Sequence, residues 1–162
     1  AEKQRQLLDT HQGLATKVMC EANTIGAKLS EIGAVHALTD VTGFGLAGHL
    51  LEVCNGAGLD ATLNLSRIPE LPGLDDYIAK GCVPGGTERN HAAYGTALPD
   101  LTQREKALLC DPQTSGGLLI AVSEASLHEV QAVLHDNGLP QEVIGALITR
   151  SGATSQITLS SM

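Results

Sequence analysis

An α+β domain of α/β layers, a mixed sheet covered by helices, is what this sequence predicts, and three observations carry the prediction. Segments with helical periodicity alternate irregularly with short apolar runs, not in the regular rhythm of a purely parallel sheet. Hydrophobic residues make up 43% of the 162, ample for a buried core, while aromatics are only 2%, so that core is aliphatic. Eighteen glycines imply many tight turns or close backbone approaches.

The elements follow in order. Residues 1–13 read as a polar linker or entry segment, and residues 14–162 as one domain. The polar start without a strand suggests a piece cut from a longer protein, unless an initiator Met has simply been removed. Leu14, Val18, Ala22, Ile25, Leu29 and Ile32 recur at spacings of three and four. They predict one helix over Leu14–Ile32, with Gly33 as its C-cap and Gly26 at a close crossing. Val35–Val41 is a predicted strand, and Gly45–Asn55 a helix closed by Gly56. Leu59–Leu65 alternates apolar with polar residues, as a half-buried strand does.

Pro69 and Pro72 break the chain before a short helix at Leu74–Lys80. Val83–Arg89 is a predicted loop around Gly85-Gly86, His91–Leu98 is helical, and Pro99–Thr102 is a turn. Asp111–Gly117 is a loop by composition, and Leu118–Val122 is a continuous apolar run, hence a buried strand. Ser123 caps a helix running to Asn137, which Gly138 and Pro140 stop. Val143–Thr149 and Gln156–Ser160 then form a hairpin across a turn at Ser151-Gly152.

Composition excludes several function classes. A net charge of −8 argues against a reader of nucleic-acid backbones, and the few aromatics give no stacking platform for single strands. No apolar run reaches the roughly 18 residues of a membrane span, and no signal peptide is visible. The four cysteines lack CxxC spacing, which fits a reduced, cytoplasmic protein with mostly buried thiols, Cys110 among them. The six histidines form no zinc pattern, and His49 reads as a structural residue.

Three stretches can carry chemistry. The first is Thr39–Leu50, where a strand ends at Asp40 and a Gly-rich turn opens into a helix. Gly43-x-Gly45-x-x-Gly48 matches a dinucleotide fingerprint literally, but the acid expected at the end of the next strand is missing; Asp60 comes at that strand's start. Asp40 is either a Mg²⁺ ligand beside nucleotide phosphates or a cap on the following turn. Thr39 and Thr42 flank it and can orient it or add a hydroxyl.

In the second stretch, Gly85-Gly86-Thr87-Glu88-Arg89-Asn90, the glycines free backbone amides for an anion and Arg89 can grip phosphate. The plainer reading leaves Glu88 and Arg89 solvated, with Asn90 capping the next helix. The third, Asp111–Gly117, offers Thr114, Ser115 and the Gly116-Gly117 pair either for anion binding or for a tight strand entry.

Thr39–Leu50 (TDVTGFGLAGHL), Gly85–Asn90 (GGTERN) and Leu109–Leu119 (LCDPQTSGGLL), in this order, resemble the C-terminal domain of the selenophosphate synthetase (selenide, water dikinase) family. Ile68–Gly73 (IPELPG) and Tyr77–Pro84 fit as well, so the resemblance spans nearly the whole chain. It places the chain in the aminoimidazole ribonucleotide synthetase superfamily. It implies an enzyme that makes selenophosphate from selenide, ATP and water and releases AMP and phosphate. It also implies an N-terminal ATP-binding domain that forms a homodimer, and a C-terminal α/β domain of about this length.

On the resemblance, Asp40 helps hold Mg²⁺ on the ATP phosphates, with Thr39, Thr42, Gly43 and Gly45 beside them. Gly85, Gly86, Thr87, Arg89, Asn90, Thr114, Ser115 and Gly116 fall in phosphate-facing or closing loops. The family's catalytic Cys or selenocysteine and its Lys would precede Ala1, so the resemblance implies no catalytic residue in this stretch and little or no activity from it alone. Two alternatives stand beside it: a domain of another ATP-dependent enzyme of the superfamily, such as a small-molecule kinase or synthetase, and a non-catalytic packing domain.

Overall fold

The computed structural model describes residues 1–160. Helices α1 (Leu14–Met19) and α2 (Ile25–Ser30) lead into strand β1 (Val35–Asp40), helix α3 (Gly45–Ala57) and strand β2 (Leu59–Asn64). Helices α4 (Leu74–Ala79), α5 (Gly85–Tyr94) and α6 (Gln103–Leu109) follow. Strand β3 (Leu118–Val122), helix α7 (Leu127–Asp136) and strands β4 (Gly145–Thr149) and β5 (Ile157–Ser160) complete the order. No helix among the described residues is long and apolar enough to cross a membrane.

The strands form two sheets. β1 and β3 make an antiparallel pair, with a register shift between Val35 and Ala37 and with Asp40 opposite Leu118 at the far end. β2 is the centre of the second sheet, in the order β4-β2-β5, antiparallel to β4 and parallel to β5. This is the mixed α+β arrangement that the irregular alternation predicts.

The core is aliphatic and centres on α3. Ala47, Leu50, Leu51 and Cys54 on that helix pack with Ala61 and Leu63 of β2, Ile157 of β5, and Leu98, Leu109 and Cys110. Buried apolar area of this kind is the main stabilising term, roughly 25 cal/mol per Å² removed from water.

Several predicted elements are corrected. Leu14–Ile32 is not one helix: the chain breaks between Met19 and Ile25. No residue of α1 is buried and only Leu29 of α2 is, so no apolar seam holds the two pieces in line. Asn23, in the break, donates instead to the Gly116 carbonyl at 3.0 Å. Gly33 is not the cap, since α2 ends at Ser30. Gly26 does face the first sheet, yet a Cβ there would meet Leu38 and Leu118 at an ordinary 3.6 Å.

The segment around Gly85-Gly86 is not a loop but the first turn of α5, entered from an extended Pro84. The leucine-rich run Leu118–Val122 is half-buried at every position, not buried, because a two-stranded ladder offers little cover beyond the packing of α2 and α3. Ser123 does not cap a helix with its side chain, for its hydroxyl lies 2.7 Å from His36 Nε2. The last two strands are no hairpin, because β2 lies between them.

Asp60 at the start of β2 pins their connection. Its Oδ2 accepts from the Ser151 N–H at 2.7 Å and the Ser151 hydroxyl at 2.8 Å. These bonds, with Arg150 nearby, hold the Asp60 carboxyl below the usual aspartate range against its own burial.

Residues 1–13 are not detached from the rest. Leu8 N–H donates to the Tyr77 hydroxyl at 3.2 Å, His11 Nδ1 lies 2.7 Å from the same oxygen, and Gln4 Nε2 donates to the Gly81 carbonyl at 3.4 Å.

Candidate functional site

The three singled-out stretches converge at the open end of the β1–β3 ladder. The pairing continues past the strand ends: Val41 N–H donates to Gly117 O at 2.9 Å, and Gly116 N–H donates to Val41 O at 3.0 Å. Gln113 N–H then reaches Thr42 O at 3.1 Å. The first and third stretches are therefore zipped together by backbone bonds.

Asn90 ties in the second. Its side-chain amide donates to Gly43 O at 2.9 Å and to Cys110 O at 3.0 Å, so one residue of α5 holds the first turn and the entry to the third loop. Asn90 is not a cap; it satisfies two loop carbonyls that strand pairing leaves over. Tyr94, one turn further along α5, donates its hydroxyl to Phe44 O. Burial is the main cause of an upward shift in the Tyr94 phenol, with Cys110 beside it adding to the rise. Burial likewise pushes the Cys110 thiol up, away from nucleophile chemistry and in line with a structural role.

Packing accounts for three of the glycines. Gly45 has φ +70, and a Cβ there would stand 2.9 Å from backbone atoms of Leu109, Cys110 and Asp111. A Cβ on Gly86 would lie 2.6 Å from the Pro112 ring, and one on Gly116 would run into the Val41 carbonyl oxygen. Gly43 is different: it is exposed, with nothing within 4 Å of where its Cβ would be. Gly85 is also exposed, with only the Arg89 guanidinium near, at 3.6 Å.

The polar side chains divide the same way. Asp40 is exposed at the end of β1, and its carboxylate makes no hydrogen bond or ion pair among the described residues. The capping alternative has no support, for the N-cap position of α3 is Phe44 and carries no side-chain bond. Thr39 is half-buried and its hydroxyl turns to the Asp40 carbonyl at 3.3 Å. Thr42 is half-buried, with its Oγ1 3.1 Å from His49 Nε2. Arg89 and Thr114 are exposed, and Ser115 is half-buried. Thr87 is fully buried, and its hydroxyl has no partner among the described residues.

Two residues of this cluster were not read from sequence as chemically active. Asp111 is half-buried; burial raises its carboxyl pKa, and the Gln113 amide, donating at 2.6 Å, pulls it back. His49 is buried beneath the first turn and contacts both Thr42 and Glu52. The i,i+3 spacing of His49 and Glu52 on a predicted helix was the available signal.

Among the described residues no group of three or more His, Cys, Asp or Glu is placed to hold a metal. The arrangement offers one free carboxylate at a strand end, the open glycines Gly43 and Gly117 near it, and an exposed guanidinium on an adjoining helix.

Comparison with known proteins adds the following. Residues 3–157 match the family described as AIR synthase related protein, C-terminal domain. The selenide, water dikinase of Shewanella sp. (strain ANA-3) is 53% identical over 157 residues, which are 97% of this chain and 45% of that protein. That of Cronobacter sakazakii is 52% identical over 159 residues, 98% of this chain and 46% of its own length. The chain thus spans less than half the length of these curated relatives. Among solved structures, E. coli HypE, a hydrogenase maturation protein, aligns with a TM-score of 0.51 at 22% identity, covering 82% of this chain and 34% of that one. A second E. coli HypE structure gives 0.52 at 20%, over 91% and 40%. At such identities the likeness speaks for the fold.

Proposed function

The chain belongs to the AIR synthase related protein family, as its C-terminal domain, and from that premise we propose that it is the C-terminal domain of a selenide, water dikinase. That enzyme makes selenophosphate from selenide, ATP and water and releases AMP and phosphate. The observation that carries the reading is identity at about half of all positions, along nearly the whole chain, to relatives of that name. In this reading residues 14–162 are the domain and residues 1–13 its entry segment. An N-terminal ATP-binding half completes the protein, forms its homodimer and supplies the nucleophile, and the whole is cytoplasmic.

The domain's share is one wall of a Mg²⁺–ATP phosphate site. Asp40 fits a magnesium ligand: its two hard oxygens are exposed and unpaired, and Mg²⁺ takes one or two carboxylates and completes its shell with water and phosphate oxygens. When bound, the ion neutralises phosphate charge during phosphoryl transfer. The chain's own residues bind and position. Thr39, Thr42, Gly43 and Gly45 shape the turn that presents Asp40. Arg89 pairs with phosphate, and Gly85, Gly86, Thr87 and Asn90 fix the helix that carries it. Thr114, Ser115 and Gly116 line the third loop, where the exposed Thr114 hydroxyl can donate to an anion.

The test is Asp40→Asn in the full-length protein, assayed for Mg²⁺-dependent, selenide-dependent ATP turnover. Loss of a charged ligand should lower turnover by about 10- to 100-fold, the worth of a charge-assisted contact. Turnover at the wild-type level would end the metal role. AMP and phosphate produced without any need for selenide would move the assignment to another ATP-dependent enzyme of the superfamily.

A further inference from the structure

Residues 1–13 contain no strand and no buried side chain, yet one hydroxyl of α4 holds them. The Tyr77 oxygen accepts the Leu8 N–H at 3.2 Å and lies 2.7 Å from His11 Nδ1. The His11 ring meets the Tyr77 ring edge-on, with centroids 5.7 Å apart. It is seated over Gly73, where a Cβ would stand 2.6 Å from His11 Cε1 and push the ring out. Gln4 makes the other contacts. Its Nε2 donates to the Gly81 carbonyl at 3.4 Å, and the Cys82 thiol donates to its Oε1 at 3.2 Å. Order continues to the start, since Gln4 N–H and Gln6 N–H donate to the Ala1 carbonyl at 3.1 and 3.0 Å.

Ordering a segment costs backbone entropy, and here no apolar burial repays it. Directional bonds of this kind specify a position. Left free, thirteen residues would let their ends drift about 20 Å apart. Held at Gln4, Leu8 and His11, they follow one path along α4 and its exit. Gly81 and Cys82, which Gln4 holds, lead to Pro84, the N-cap of α5. That helix carries Arg89 and Asn90, and Asn90 holds the turn at Gly43. The entry segment and the candidate site are therefore fixed in one frame.

We propose that residues 4–11 are a strap, fastened by Tyr77, that fixes where the N-terminal half joins the domain and so sets its closure over the Asp40 site. The inference rests on the two-domain reading above and deepens it, making Tyr77 a positioning residue that touches no ligand. With the strap seated, the two halves stand in the binding-competent arrangement. Unfastened, that arrangement is only a fraction of the population, and apparent nucleotide affinity falls by that fraction. Saturating nucleotide draws the halves together again, so kcat is spared.

The test uses the full-length protein. Tyr77→Phe keeps the ring and removes only the hydroxyl. Amide exchange at Leu8 should quicken about ten-fold, the worth of an oriented bond, with β2 unchanged. Affinity for a non-hydrolysable ATP analogue with Mg²⁺ should fall about five-fold by titration, and KM in turnover should rise by the same factor with kcat held to within about two-fold. His11→Ala should reproduce the shift. The double variant should go no further than the larger single effect, because both changes undo one fastening. Leu8 exchange at the wild-type rate overturns the proposal. Quickened exchange with unchanged analogue affinity overturns it too, for the strap is then local order only, and so does a lowered kcat at unchanged KM. Exchange and titration need no turnover, so absence of selenide-dependent activity would remove the dikinase reading while those two measurements still decide the strap.

Discussion

The two sheets are held by different forces. In β4-β2-β5, Ala61, Leu63 and Ile157 are buried against α3, so that side stands on apolar area. In β1–β3 every residue of β3 is only half-buried, and order beyond Asp40 comes from backbone pairing, from Asn90 and Asn23, and from glycines that let backbones touch. α3 packs against both β2 and β3 and joins the two regimes. Apolar burial is non-directional and tolerates repacking, whereas hydrogen bonds and close backbone contacts fix position. The chain uses the directional kind where side chains at a strand end must stay free and in place.

The contrast can be broken by exchanging the kind of damage. Leu63→Ala in the scaffold sheet should cost about 3 kcal/mol by urea denaturation, a lost side chain plus an unfilled cavity, without altering the pairing at the open end of β1–β3. Gly116→Ala removes no burial, yet it should cost about 2 kcal/mol by the same measurement, because the Val41 carbonyl cannot move without breaking the zip. A cost near zero there would mean that the glycine serves a ligand and not packing. Asn90→Ala leaves the Gly43 and Cys110 carbonyls without their donor and should cost about 1.5 kcal/mol. Its signature is local: amide exchange should accelerate in Thr42–Gly45 before the scaffold sheet is affected. Uniform acceleration through β2 would erase the distinction between the two regions.

How much of this was legible in sequence follows the same division. Burial leaves periodicity, so α3, β2 and α7 are readable from Leu50, Leu63 and Val130 and their neighbours. The three chemical stretches are legible as residue types, and their convergence is not, since it depends on Asn90 reaching two carbonyls far away in sequence. Gly85-Gly86 read as loop because two glycines weaken a helix, but contact with Pro112 over-rides that local preference. α6 was legible and was missed: Thr102 and Glu105 form a capping box, a three-residue spacing visible in the sequence. The false hairpin shows the opposite limit, for nothing local in Ser151-Gly152 says that Asp60 will hold the turn while β2 enters between the strands.

Two aspartates sharpen the comparison to single groups. Asp60 serves the scaffold sheet: it is buried, bonded to Ser151, and its carboxyl is held below the ordinary aspartate value of about 3.9. A depressed folded-state pKa adds stability above the unfolded value, and that stability is lost as pH falls through the folded one. Asp60→Asn should therefore lower the urea midpoint at neutral pH and flatten the fall in stability below about pH 4. Asp40 ends β1 with no partner among the described residues, so its carboxylate does nothing for the fold. Asp40→Asn should leave stability within about 0.5 kcal/mol of wild type, as an exposed substitution does. A large loss on Asp40→Asn would give that carboxylate a structural partner and take away the ground for treating it as a free ligand. A neutral result joined to lost Mg²⁺-dependent turnover would separate the residue that acts from the zipped loops that hold it.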